Sequence, residues 1–232
     1  MGKINKAKGN MYDWVTHTWS PGRGCPHQCR YCYVRSFGVQ PVDYTPDLPF
    51  PPLGKGRKIF VGHMCDLFAN GVPVADTRAV LDHVRQFPCN IYVFQTKAPL
   101  RALAFADGIP GNSVIGTTIE SNWDSVLIDY MEDSTTAPVV EDRAKGLLQL
   151  RELGYQTFLT IEPIIDFHPA EMLRLVKLAD PCKVYIGADS KGHGLPEPAA
   201  DEIERLIIKL REAHFPVFPK DNLKRLLPEG FA

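Results

Sequence analysis

Six short apolar runs recur along the chain, at residues 58–62, 90–95, 113–119, 156–161, 183–188 and 216–219. They are rich in Val, Ile, Phe, Tyr and Thr, and nearly continuous rather than alternating, the pattern of strands buried on both faces. A weaker run occupies 14–19. Between the runs lie segments with apolar residues at helical spacing. Residues 201–214 carry Ile203, Leu206, Ile207 and Leu210 on one face, and 140–153 carry Val140, Ala144, Leu147 and Leu148. Shorter helices are predicted over 76–87, opened by Asp76, and over 169–178, opened by Pro169. Alternating strand and helix predicts a parallel sheet with outer helices and with function at the carboxyl ends of the strands. Six or seven strands are too few for an eightfold barrel, so the expected class is α/β, as a partial barrel or an open sheet.

Two segments interrupt this pattern. Residues 36–57 include five prolines between 41 and 52, which rules out a regular helix or a central strand there. An extended loop ordered against the body is expected instead. Residues 129–138 are polar and read as a second insertion. With no internal repeat and no composition break, 1–232 is expected to be a single domain.

Composition narrows the partners. Hydrophobic residues make up 44% and charged residues 23%, close to a globular average. Lys plus Arg is 26 against 27 for Asp plus Glu, a net charge of -1. That balance does not indicate a general binder of nucleic acid, and leaves it only a local basic patch. No stretch reaches the roughly 18 apolar residues of a spanning helix, so no membrane partner is expected. The start, Met1-Gly2-Lys3-Ile4-Asn5-Lys6, has neither an apolar signal core nor the Ser/Thr of a myristoylation signal. A cytoplasmic location is expected.

The cysteines point to chemistry. Three of the six, Cys25, Cys29 and Cys32, lie in Gly24-Cys25-Pro26-His27-Gln28-Cys29-Arg30-Tyr31-Cys32-Tyr33, directly after the first strand. Three thiolates at C-x3-C-x2-C spacing can hold three irons of a [4Fe–4S] cluster and leave the fourth iron open. The rival reading is a zinc site completed by His27 or His63, although zinc more often takes paired C-x2-C units. Three unliganded cysteines is the third reading. Cys89 and Cys182 precede strands and read as packing.

The spacing, Tyr31 before the last cysteine and the strand–loop position resemble the radical S-adenosylmethionine (SAM) superfamily. Further segments resemble a phage-associated branch of it: Thr18-Trp19-Ser20-Pro21, residues 60–68, Gln95-Thr96-Lys97, residues 116–121 and Ile161-Glu162-Pro163. The Thr96-Lys97 and Ile161-Glu162-Pro163 pieces are also similar to spore photoproduct lyase, which repairs a DNA lesion. The resemblance implies a partial (β/α)6 barrel with Cys25, Cys29 and Cys32 as ligands of a [4Fe–4S] cluster and Tyr31 near the adenine of SAM. It also implies reductive cleavage of SAM to a 5′-deoxyadenosyl radical that abstracts hydrogen from substrate, and an external electron donor of flavodoxin or ferredoxin type.

Other strand ends supply the remaining candidates. Residues Gly62-His63-Met64-Cys65-Asp66 stand where the superfamily binds the amino group of SAM, so Gly62 and His63 by backbone, supported by Asp66, are implied contacts. Asp66 reads equally as a cap before Leu67. Thr118, Glu120 and Ser121 are chemically suited to ribose hydroxyls, and equally to strand-end capping. Glu162 is a carboxylate at the top of an apolar strand, costly unless paired or bound, and suits SAM or substrate. Gly187 would let a flat base approach the backbone, and Asp189 follows it toward substrate. Lys97 and Lys220 suit an anionic substrate, whereas Lys191 reads as a solvated loop residue. Cys65 is a candidate hydrogen-atom donor or a small buried hydrophobe. The expected substrate is a nucleotide, a nucleic-acid base or a small metabolite. Rival functions are a zinc-stabilised nucleic-acid-binding protein, with basic spots at Lys3, Lys6, Lys8 and 55–58, and an iron–sulfur electron carrier.

Overall fold

The computed structural model of the chain describes residues 3–38, 41–126 and 137–228. Its main sheet has eight strands in the order β1-β2-β5-β6-β7-β8-β9-β10. These are β1 (Ile4–Lys6), β2 (His17–Trp19), β5 (Lys58–Val61), β6 (Ile91–Gln95), β7 (Val114–Thr118), β8 (Gln156–Ile161), β9 (Lys183–Ile186) and β10 (Val217–Pro219). From β2 to β10 every neighbouring pair is parallel. Only β1, unmarked in the apolar pattern, runs antiparallel, on β2. The sheet is a partial barrel whose edge strands β1 and β10 do not close on each other.

Outer helices follow the predicted segments with small shifts: α1 (Val74–Arg85), α3 (Val140–Glu152), α4 (Pro169–Ala179) and α5 (Ala200–Glu212). A short α2 (Pro99–Leu103) was not expected. On α3 it is Leu150 that is buried and Leu148 that is partly exposed. The described residues of the proline-rich segment form no long helix or main-sheet strand. Within it β4 (Thr45–Pro46) pairs with β3 (Gly22–Arg23) as a small antiparallel ribbon. The expected polar insertion lies outside the described residues up to position 136.

Both faces of the sheet are covered. Ile59, Val61, Tyr92, Phe94 and Ile115 pack outward with Val80, Leu81 and Val84 of α1. Leu159, Ile161, Val184 and Ile186 pack outward with Met172 and Leu175 of α4 and Ile203 and Leu206 of α5. The alternate residues Phe60, Val93, Phe158 and Tyr185 face inward, as a period of two requires. They meet Tyr12 and Val15, so the expected strand over 14–19 is shortened to 17–19 because its first residues fill the barrel. The Tyr12 ring lies 4.6 Å from that of Tyr185 and 5.1 Å from that of Phe158. Trp14 Nε1 donates to the Tyr185 hydroxyl at 2.8 Å. This plug leaves the carboxyl ends of the strands as the open half of the barrel.

Candidate active site

A cavity of about 800 Å³ opens there. Its wall includes Cys25, Cys29 and Cys32, all unpaired thiols. Their loop is held by backbone bonds rather than by regular structure. Gly24 has φ +91°, and a Cβ on it would lie 2.0 Å from the Asp43 carbonyl oxygen, so only glycine fits. Cys25 N donates to Pro41 O at 2.9 Å. Gln28 Nε2 donates to Cys25 O at 2.6 Å and to Pro41 O at 3.2 Å. Arg35 Nε donates to Cys29 O at 3.0 Å and its Nη2 to Gln28 O at 3.1 Å. Burial raises the pKa of the Cys25 and Cys32 thiols, and the neighbouring Cys29 adds to it. Among the described residues no three His, Cys, Asp or Glu side chains form a ready-made site for a single metal ion.

Behind the loop lies a buried charge network. Glu120 is fully buried and accepts from Lys97 Nζ at 2.7 Å, Arg143 Nη1 at 2.9 Å and the Tyr31 hydroxyl at 2.9 Å. Burial pushes its carboxyl up, but the Lys97 and Arg143 charges overcome that and hold it at about 2. Burial likewise opposes the Lys97 charge, and Glu120 overcomes it, raising the ammonium pKa. Two cations thus meet one carboxylate. Lys97 also lies 5.5 Å from the centroid of the Tyr31 ring. Arg143 was missed from sequence, although it falls on the apolar face of α3 between Val140 and Leu147.

Asp66 is a second hub. Its carboxylate accepts from His27 Nε2 at 3.0 Å, Thr96 Oγ1 at 3.0 Å, Lys97 N at 2.8 Å and Phe68 N at 3.0 Å. Burial opposes its charge, but the His27 bond wins and lowers the pKa. His27, offered above as a zinc ligand, thereby ties the cysteine loop to the ends of β5 and β6. The bond from Phe68 N caps a turn rather than the helix start anticipated for Asp66, since the next helix begins at Val74. Gly62 and His63 line the cavity, but the His63 carbonyl already accepts from the Tyr33 hydroxyl. His63 Nδ1 is buried without a hydrogen-bond partner.

The other strand ends divide into two groups. Thr118, Glu162, Asp189, Lys220, Lys97, Tyr31 and Cys65 reach the cavity. Glu120, Ser121 and Gly187 sit behind its wall. Ser121 Oγ donates to Asp166 O at 2.6 Å and accepts from Trp123 N at 3.1 Å, a strand-end cap. Gly187 makes room for Glu162: a Cβ there would lie 2.6 Å from Glu162 Oε1. Glu162 in turn accepts from Lys220 Nζ at 2.7 Å, Asn10 Nδ2 at 2.6 Å and Asn222 Nδ2 at 2.9 Å. Asp189 receives the backbone N–H groups of Lys191 and His193 and the His193 ring at 2.7 Å. Burial pushes the Cys65 thiol up to about 12.

Sequence reasoning missed the cavity floor. There the Tyr12 hydroxyl meets Gln95 Oε1 at 2.9 Å and Thr160 Oγ1 at 2.8 Å, and Gln95 Nε2 donates to Thr118 Oγ1 at 2.8 Å. The signal for Gln95 and Thr160 was their polarity inside apolar runs. Tyr12 had none, because its segment is remote from these strands in sequence.

A spore photoproduct lyase structure with bound S-adenosylmethionine and a dinucleoside spore photoproduct superposes with a TM-score of 0.56 at 12% identity. The match covers 88% of this chain and 63% of that one. SuiB of Streptococcus suis, bound to S-adenosylmethionine, gives 0.59 at 12% identity, covering 92% of this chain and 52% of that one. The chain has the fold of the radical SAM enzymes. At this identity the likeness is one of fold, and this chain spans less than two thirds of either protein's length. No protein-family model matches the chain, and no curated protein matches it.

Proposed function

We propose that the chain is a radical SAM enzyme acting on a nucleotide or nucleic-acid base. The observation that carries the reading is the trio Cys25, Cys29 and Cys32 on one loop facing a cavity at the carboxyl ends of a parallel half-barrel. The donor set fits a [4Fe–4S] cluster. Each thiolate takes a different iron, so the three sulfurs need not meet at one point. The surplus cation of the Lys97–Glu120–Arg143 group favours negative charge beside the loop, and the unpartnered His63 Nδ1 fits a cavity built for a ligand. When bound, the cluster and SAM supply one-electron cleavage and a 5′-deoxyadenosyl radical that takes hydrogen from substrate.

The chain's own residues do the rest. Cys25, Cys29 and Cys32 would hold the cluster as thiolates, the protons that burial favours on the free thiols being lost on binding. Tyr31, held by Glu120, presents its ring to the cavity and would meet the adenine. Gly62 and His63 would take the amino group, with Asp66 tying their turn to the cysteine loop through His27. Thr118, at the floor, would contact the ribose. Glu162 and Lys220, a neutral pair, orient substrate, as does Asp189 through the loop it braces. Cys65, whose thiol burial keeps protonated at neutral pH, lines the cavity as a candidate hydrogen-atom donor that would need one electron and one proton from the external donor to be restored. The walls exclude stray hydrogen donors from the reacting atoms.

The test is anaerobic purification followed by iron, sulfide and zinc analysis, then incubation with SAM and a strong reductant. About four irons and four sulfides per chain, with 5′-deoxyadenosine formed, are expected. Zinc alone with no 5′-deoxyadenosine overturns the reading.

A further inference from the structure

Not every cation along the cavity has a carboxylate partner. Inside, Lys97 faces Glu120 and Lys220 faces Glu162, each at 2.7 Å. The cavity carboxylates Asp66 and Asp189 are held by hydrogen bonds, Asp66 from His27, Thr96 and the Lys97 N–H, and Asp189 from His193 and the Lys191 N–H. Lys6 on β1, Lys8 just after it and Lys191 after β9 also line the cavity. All three are exposed, and among the described residues none is in an ion pair. The chain as a whole carries a net charge of -1. Three lysines outside any ion pair along one cavity wall are therefore a local feature, not an overall basic character.

The same opening carries exposed aromatic surface. Tyr33 and Phe37, on the turn that follows the cysteine loop, line the cavity and remain 40% and 68% exposed. Their rings meet edge to face, 6.3 Å apart, and the Tyr33 hydroxyl is anchored on the His63 carbonyl. An aromatic pair beside a cavity that the described residues leave this exposed offers ring surface to a ligand.

We propose that this mouth binds the phosphates and an unpaired base of a nucleotide substrate: Lys6, Lys8 and Lys191 take the phosphate charge, and Phe37 with Tyr33 stacks on a base. The assignment rests on the reading above and adds the form of the substrate and the residues that hold it. Cations at three places along the cavity wall match an anion whose charge is spread along a chain, which a single carboxylate is not. Exposed rings match a flat base, whose face accepts stacking whatever its sequence.

The experiment is fluorescence anisotropy of end-labelled single-stranded DNA and RNA oligonucleotides with the purified chain, over a series of salt concentrations. Unlabelled nucleoside 5′-monophosphates and duplex DNA serve as competitors. Single strands are expected to bind at low salt and weaken as salt rises. The combined Lys6→Ala, Lys8→Ala and Lys191→Ala variant is expected to flatten the log–log salt slope by about 2, at roughly 0.7 per lost single-strand contact. Phe37→Ala is expected to weaken binding at least about 5-fold with the slope unchanged. Competition by monophosphates as effective as by strands assigns a free nucleotide, and competition by strands alone assigns a nucleic acid; both support the site. No binding at low salt, duplex binding as tight as single-strand binding, or variants that bind like the parent overturn it. Because binding needs no reductant, the two readings fail separately. Binding without SAM cleavage overturns the radical chemistry alone, and cleavage without binding overturns the mouth alone.

Discussion

Removing the Glu120 carboxylate would leave Lys97 and Arg143 buried around a neutral amide. Glu120→Gln is expected to destabilise the fold by about 3–5 kcal/mol, read from urea unfolding, and a loss under about 1 kcal/mol would show that the network is not holding the wall. The same group sets an acid limit. Its folded carboxyl titrates at about 2, against roughly 4.3 when unfolded. Its contribution is therefore complete above the unfolded value and is lost as pH falls toward 2, so a chain with Gln at 120 should show a flatter loss of stability over that range. Gly187→Ala puts a methyl 2.6 Å from Glu162 Oε1, and a cost of about 1–3 kcal/mol is expected from equilibrium unfolding. At this scale the reactive residue types were legible, because a thiol or carboxylate at a strand end is unusual wherever it lies. Their partners were not. Nothing in the string says that Glu120 meets Arg143 of α3, or that Glu162 meets Asn10 and Lys220.

The cysteine loop is an element without regular structure, and its shape depends on its neighbours. Arg35 and Gln28 bind its carbonyls, and Pro41 receives its first N–H. Arg35→Ala is expected to lower the iron retained after gel filtration by several-fold while leaving far-ultraviolet circular dichroism unchanged. Full iron retention would show that the loop keeps its form unaided. Tyr12 does for the barrel floor what Arg35 does for the loop. Tyr12→Ala is expected to cost about 3–5 kcal/mol, with Tyr12→Phe costing less because the ring stays and only the hydroxyl bonds to Gln95 and Thr160 go. Strands and helices were readable because burial on two faces or on one stripe leaves a period in the sequence. The plug at 12–15 was not, since its aromatic residues pack against four different strands and need no period of their own.

For the whole molecule, the alternation of strand and helix sufficed to predict a parallel sheet with function at its carboxyl ends but left a partial barrel and an open sheet as alternatives, between which the resemblance chose. The chain order of the parallel strands is also their spatial order from β2 to β10, with β3 and β4 set aside in their own ribbon. Such local connectivity makes the fold legible, because each strand finds its partner next along the chain. The antiparallel β1 broke this rule and was invisible in the pattern. The three cysteines were likewise local, and their spacing alone brought them to one loop. Charge balance was a different matter. Lys97 and Lys220 looked like substrate residues and are ion-paired with Glu120 and Glu162, whereas Lys191 looked like a solvated loop residue and Lys6 and Lys8 like basic spots, and all three line the cavity outside any ion pair among the described residues. Periodicity and short-range spacing are properties of neighbouring residues, and these set the class of fold and the likeness of the cysteine loop. Which ionised group faces which, and which stays open to a ligand, depends on contacts between residues far apart in the chain, and those exist only once the barrel has formed.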